Sequence, residues 1–189
     1  MNRKAASLIL AVMLGATPLA HSSPVQWTLN NVVFNDGGSA TGSFTYDADL
    51  NTYSAIAIVT SPGSAFGGWF YDGYATDQPQ TATQLVARNG TGPTFAGTTL
   101  LALRPDSALT NAGGVRNLLA GTSAIVPGGS FEVVCAVAGA CAAPPNRLVV
   151  AGTLSGAVVP VPGALALLGS ALGALAWVRR RDGPGEPVA

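Results

Sequence analysis

Histidine and lysine are nearly missing from this chain. His21 is the sole histidine and Lys4 the sole lysine. Both lie in an N-terminal stretch with the layout of an export signal. Between residues 23 and 157 there is neither, and Glu132 is the single glutamate. Without histidine there is no Ser-His-Asp or Cys-His catalysis and none of the usual zinc sites. Without lysine there is no Schiff base. Glycoside hydrolysis needs two carboxylates across one cleft. Six aspartates remain, and three of them, Asp36, Asp72 and Asp106, stand beside Gly, Asn or Pro, where aspartate serves turns. No nucleophile elbow, phosphate-cradling glycine loop or metalloprotease helix occurs. The expectation is a protein that is not an enzyme and carries no cofactor.

Positive charge is also scarce. Residues 23–157 hold Arg88, Arg104, Arg116 and Arg147 against Asp36, Asp47, Asp49, Asp72, Asp77, Asp106 and Glu132, a formal −3, although the whole chain sums to zero. Nucleic-acid binders show the reverse balance and a clustered basic face, so no nucleic-acid partner is expected.

Cysteine occurs twice, at Cys135 and Cys141. In an exported chain the pair reads as a disulfide across a hairpin tip that turns at Gly139; two free thiols are the alternative. Two thiols without a histidine or a second pair do not complete a zinc site.

The ends carry the clearest patterns. Arg3 and Lys4 precede an uncharged stretch, Ala5 to Leu14, and then Gly15 and Pro18. This is the arrangement of a secretory signal over residues 1–22, with cleavage after Ser22 or, less suitably, Ala20. At the other end, residues 163–178 read GALALLGSALGALAWV, and Arg179, Arg180 and Arg181 follow at once. As a helix this stretch reaches ~24 Å, short of the ~30 Å hydrocarbon core. It is a minimal transmembrane helix, with Trp177 at the interface and the arginines held in the cytoplasm. Residues 182–189 form a tail.

One domain, residues 23–157, lies between the signals. Short β-prone runs alternate with turn residues, which predicts an all-β fold. A small antiparallel β-sandwich or barrel-like domain is expected, flanked by the N-terminal signal helix and the C-terminal hydrophobic helix. Val25, Trp27 and Leu29 alternate, and the phase then shifts to Val32 and Phe34, predicting a bulge near Asn30-Asn31. Asn35-Asp36-Gly37-Gly38 predicts a hairpin turn. Strands follow at 39–46 and 53–60 around a turn at 47–51. Further strands are expected within 66–75, 81–88, 97–104, 131–137 and 147–154. A short helical turn is expected around Val115 to Ala120.

Two clusters invite a binding reading. Asp47, Asp49 and Asn51 have the alternating spacing that opens many calcium loops. However, Thr52 stands where an EF-hand needs glycine, and Ile58 where it needs a bidentate glutamate. A polar hairpin turn is the main expectation, with a weak calcium site as the alternative. Trp69, Phe70, Tyr71 and Tyr74 suit either core packing or a sugar-stacking surface. Strict alternation would put Trp69 with Tyr71 on one face and Phe70 with Asp72 on the other.

Pro160-Val161-Pro162-Gly163, the apolar run to Val178 and the arginines at 179–181 together resemble the PEP-CTERM sorting signal. That signal has a proline box, a short span and a basic tail. NNVVFNDGGSATGSFTYDADLNTYS, residues 30–54, also resembles the opening hairpins of proteins that carry it. Val161 stands where many members have glutamate, as in variants with a Val-Pro-x-Pro box, and the tail after the arginines is longer than usual. The resemblance implies export by a Gram-negative bacterium and handling of residues 158–181 by an exosortase, a membrane cysteine protease-transpeptidase. It further implies association with exopolysaccharide and biofilm matrix. The implied partners are the export machinery, an exosortase-like protease, a transient membrane and exopolysaccharide. The implied route runs from the cytoplasmic membrane to the cell surface or extracellular matrix.

Overall fold

The computed structural model describes residues 23–93, 97–121, 128–135 and 146–158. The N-terminal signal, the proline box, the apolar stretch 163–178 and the arginines at 179–181 lie outside these residues. Among the described residues no helix is long and apolar enough to cross a membrane.

The domain is all-β. Its strands are β1 (Val25–Phe34), β2 (Ser39–Asp47), β3 (Thr52–Thr60), β4 (Phe70–Tyr71), β5 (Gly73–Tyr74), β6 (Leu85–Arg88), β7 (Thr98–Leu103), β8 (Gly114–Asn117), β9 (Phe131–Cys135) and β10 (Asn146–Val158). The first hairpins form where local chemistry calls for them. Gly37 takes φ +87° in the Asn35–Gly38 turn, a backbone region that glycine enters without steric penalty. Phe34 N–H donates to Gly38 O at 2.8 Å and Gly37 N–H to Phe34 O at 3.1 Å. In β1, Val25, Trp27 and Leu29 are buried, and so are Val32 and Phe34. The register against β2 slips between Leu29 and Val32, with Asn31 at φ +50°. That bulge returns Val32 and Phe34 to the core, as the phase shift in the sequence requires.

A second bulge, not expected from the sequence, lies in β3. Its register against β2 slips between Ser43 and Thr45, opposite Ala55 at φ +47°. Tyr53 and Ile56 are three residues apart yet both buried, because the extra residue re-phases the strand. An alanine in this region carries strain of roughly 1–2 kcal/mol.

The strands follow the order β4-β3-β2-β1-β10-β9-β7-β6-β5, with β8 also on β10. Every pairing between strands is antiparallel. The two ends of this path, β4 and β5, are separated in the chain by Asp72 alone. One half of this bent segment pairs with β3 and the other with β6, so the sheet is nearly closed and barrel-like. At Gly73 closure leaves no room for a side chain: a Cβ would lie 2.3 Å from the Gly90 carbonyl carbon. Strand β10 turns the opposite corner, with Asn146–Leu148 on β9 and the stretch from Val149 onward on β1.

Inside packs one large core, including Trp27, Phe34, Phe44, Tyr46, Tyr53, Ile58, Leu101, Leu103 and Leu154. A smaller cluster unites Ala75, Val86, Leu100, Ala102, Val133 and Cys135. Successive residues of β6 and β7 therefore feed opposite sides, and both strands are buried on two faces.

Residues 114–117 correct an expectation. They form β8, and Thr153, Leu154, Ser155 and Gly156 of β10 pair with Asn117, Arg116, Val115 and Gly114. No helical turn forms there. One isolated turn fixes several backbone angles for a single hydrogen bond, whereas the outer edge of β10 offers a row of partners.

Candidate functional site

The buried interior holds a polar network that was not apparent from the sequence. Glu132 of β9 and Arg147 of β10 sit directly opposite each other in register, and both are 0% exposed. Arg147 Nε donates to Glu132 Oε2 at 2.5 Å. Its Nη1 reaches Asp36 Oδ2 at 3.3 Å and Ser61 O at 3.0 Å. The guanidinium carbon stands 4.1 Å from the centroid of Phe34 and 5.1 Å from that of Phe66, so aromatic rings flank the cation. The other carboxylate oxygen, Glu132 Oε1, accepts the Tyr71 hydroxyl and the Thr60 hydroxyl, the latter at 3.0 Å. Asp36 also caps its own turn, accepting Gly38 N–H at 3.0 Å.

Burial pushes the Glu132 carboxyl above the usual carboxylate range, against the opposing pull of the Tyr71 and Arg147 hydrogen bonds. Burial, and then the neighbouring Glu132, push the Tyr71 phenol up. Both carboxylate oxygens are thus occupied by internal donors with no face open to a substrate. The group ties β3, β4, β9, β10 and the β1–β2 turn together around the seam at β4–β5. The only hint in the sequence was placement: two charges inside β-prone runs, FEVVC and NRLVV.

Above this network the surface is aromatic. Trp69 is 44% exposed and Phe70 47%. Trp69 does not share a face with buried Tyr71, contrary to strict alternation. It precedes β4 and has left the pleat, so the two-residue period does not reach it. Its backbone is nevertheless held firmly. Thr60 N–H donates to Trp69 O at 2.9 Å, and Trp69 N–H donates to Thr60 Oγ1 at 3.1 Å. Trp69, Phe70 and Tyr71 line a depression of about 290 Å³, shared with Arg88, Asn89, Gly97, Thr98 and Thr99. Thr99 is 5% exposed, and its hydroxyl has no hydrogen-bond partner among the described residues.

The calcium-like cluster forms a capped turn. Asp47 Oδ1 accepts Asp49 N–H at 2.9 Å and Leu50 N–H at 3.2 Å. Asn51 Oδ1 accepts the Tyr46 hydroxyl at 2.8 Å, and its amide donates to Gln80 O at 3.2 Å. Asp47 Oδ1 and Asn51 Oδ1 are thereby engaged within the fold. Among the described residues no three His, Cys, Asp or Glu side chains converge on one point.

Cys135 closes β9, fully buried against β7, and is disulfide-bonded. Cys141 lies outside the described residues. A Cys135–Cys141 bridge closes a short loop, and its removal by reduction or by Cys135→Ser is expected to cost about 2 kcal/mol. Urea unfolding with and without reductant measures that difference. Exported protein in which both thiols react with an alkylating agent before reduction would refute the bridge.

No protein-family model, no curated protein and no solved structure matches this chain.

Proposed function

We propose that this chain is an exported, non-enzymatic protein of the cell surface or of an exopolysaccharide and biofilm matrix, sorted through its C-terminal segment by an exosortase-like membrane protease. The observation that carries this reading is the order of parts in residues 158–181. Pro160 and Pro162 favour an extended chain just outside the membrane. The span that follows is short and rich in glycine and alanine, modest burial for a lasting anchor. The three arginines stop translocation and hold the box at the membrane face. The logic resembles that of a GPI signal, where a transient hydrophobic stop awaits cleavage. In support of a non-enzymatic role, Glu132, Arg147 and Tyr71 are spent on one another inside the fold.

The test is a tag placed after Ala189 in an exosortase-competent host. The mature protein is expected to lose the tag, and Pro160→Ala with Pro162→Ala is expected to prevent that loss. A tag retained on mature, membrane-bound protein would show an ordinary anchor instead.

A second reading is an extracellular glycan-binding module. What favours it is the adjacent exposure of Trp69 and Phe70 on a depression that Arg88, Asn89, Thr98 and Thr99 also line. Sugar surfaces combine apolar C–H faces with hydroxyl edges, and such a mixed lining matches both.

A further inference from the structure

We propose that the depression at Trp69 and Phe70 is a saccharide subsite that takes one neutral hexopyranose ring of a polysaccharide; this rests on the glycan-binding reading and names its site and ligand class. The volume, about 290 Å³, lies at the lower limit of ligand pockets, ~300–1,000 Å³. That is room for one ring of a longer chain. Three of its lining residues are aromatic, Trp69, Phe70 and Tyr71. A pyranose chair in the gluco configuration directs its ring hydrogens axially and its hydroxyls outward. It can therefore lay a C–H face on an aromatic ring while its edge meets polar groups. Residues that carry such groups are present: Asn89, Thr98 and Thr99 line the same depression. The Thr99 hydroxyl is buried without a partner among the described residues. Such a group is costly to leave unsatisfied, and a ligand hydroxyl arriving there by local adjustment satisfies it.

The platform is built in advance of binding. The Trp69 backbone is clasped to Thr60 by two hydrogen bonds, one to the Thr60 N–H and one to its hydroxyl. Thr60 donates to Glu132, and Tyr71 donates to the same carboxylate. The Trp69 backbone and the Tyr71 ring are thus fastened to the buried ion pair, which limits the ordering cost that a ligand must meet. The apolar surface also continues beyond the depression. Val59 lies opposite Phe70 in register and is 50% exposed, in position to carry the next ring of a chain.

Other ligand classes fit less well. A peptide adding itself as a strand needs a free edge of some length, and here β4 and β5, each paired on one side, offer two residues apiece. A polyanion would meet one half-buried arginine, Arg88, on a domain of formal charge −3, a balance that opposes it.

Isothermal titration of the purified exported protein with cellohexaose, and separately with a hexamer of galacturonate, decides the matter. The expected result is binding of cellohexaose in preference to the uronate. The affinity is expected to fall roughly tenfold or more in both Trp69→Ala and Phe70→Ala. Both residues are exposed and outside the buried core, so circular dichroism should show the fold intact in these variants. Cellohexaose binding with unchanged affinity in both variants would overturn the site and leave the glycan-binding reading standing. Tighter binding of the uronate would overturn the neutral ligand. Binding of neither hexamer would overturn the subsite, and failure across a wider glycan panel would overturn the glycan-binding reading with it.

Discussion

Arg147→Ala is expected to destabilise the domain by about 3–5 kcal/mol, because it leaves Glu132 buried without its cation. A domain of this size has only about 5–15 kcal/mol of stability in total, so the variant should unfold at markedly lower denaturant. The loss follows from the closed surroundings of the pair. Both side chains are fully buried, and Glu132 would keep only the Tyr71 and Thr60 hydroxyls. Glu132→Ala should behave in kind, leaving Arg147 with Asp36 and Ser61. Replacing both partners at once, Glu132→Leu with Arg147→Met, should cost less than the two single changes added together, since neither Glu132 nor Arg147 is left buried without the other, and the remaining loss is the Asp36 carboxylate parted from its cation. Urea unfolding of the four proteins forms the cycle. Additive losses would mean that the pair does not act as a unit. Single losses below about 1 kcal/mol would mean that solvent reaches these groups, as at a surface pair.

Trp27→Ala is the other large effect, at about 3–5 kcal/mol, the usual cost of deleting a buried indole. Trp27 is the largest fully buried side chain among the described residues. It lies beneath Gly156 of β10, where a Cβ would come within 2.9 Å of the ring, and the Arg116 guanidinium carbon stands 5.8 Å from its centroid. Trp27→Ala thus empties space where β1, β8 and β10 meet. Trp27→Phe should be milder, within about 1–2 kcal/mol of the parent, because the indole N–H it removes is buried without a hydrogen-bond partner among the described residues. Thermal unfolding monitored by circular dichroism ranks the three proteins. If Trp27→Phe proved as damaging as Trp27→Ala, that N–H would have to be satisfied in solution.

Both effects arise where elements distant in sequence meet, and this marks what could be read in advance. Composition alone showed that residues 23–157 hold neither histidine nor lysine. Turn residues and two-residue alternation located β1, β2, β3 and both hairpin turns, and the phase break at Asn30-Asn31 located the bulge. These features rest on neighbours a few residues apart: asparagine and glycine tolerate positive φ, and a strand shows its buried face at every second residue. The Asp47–Asn51 cluster was likewise legible as a turn, because aspartate accepts from backbone N–H groups two and three residues on.

The tertiary structure decided the rest. β8 exists because β10 offers an edge; its four residues have little burial of their own to announce a strand. Trp69 is exposed because the chain joins β4 only at Phe70, and the end of a pairing is set by the partner strand. The pairing of Glu132 with Arg147 depends on the β9–β10 register, and that of Arg147 with Asp36 bridges 111 positions of sequence. A charge in a β-prone run looks the same whether solvent or a counter-ion faces it. Only closure of the sheet through Phe70–Tyr74 brings β3, β4, β9 and β10 close enough to shut water out and to leave the aromatic depression above them.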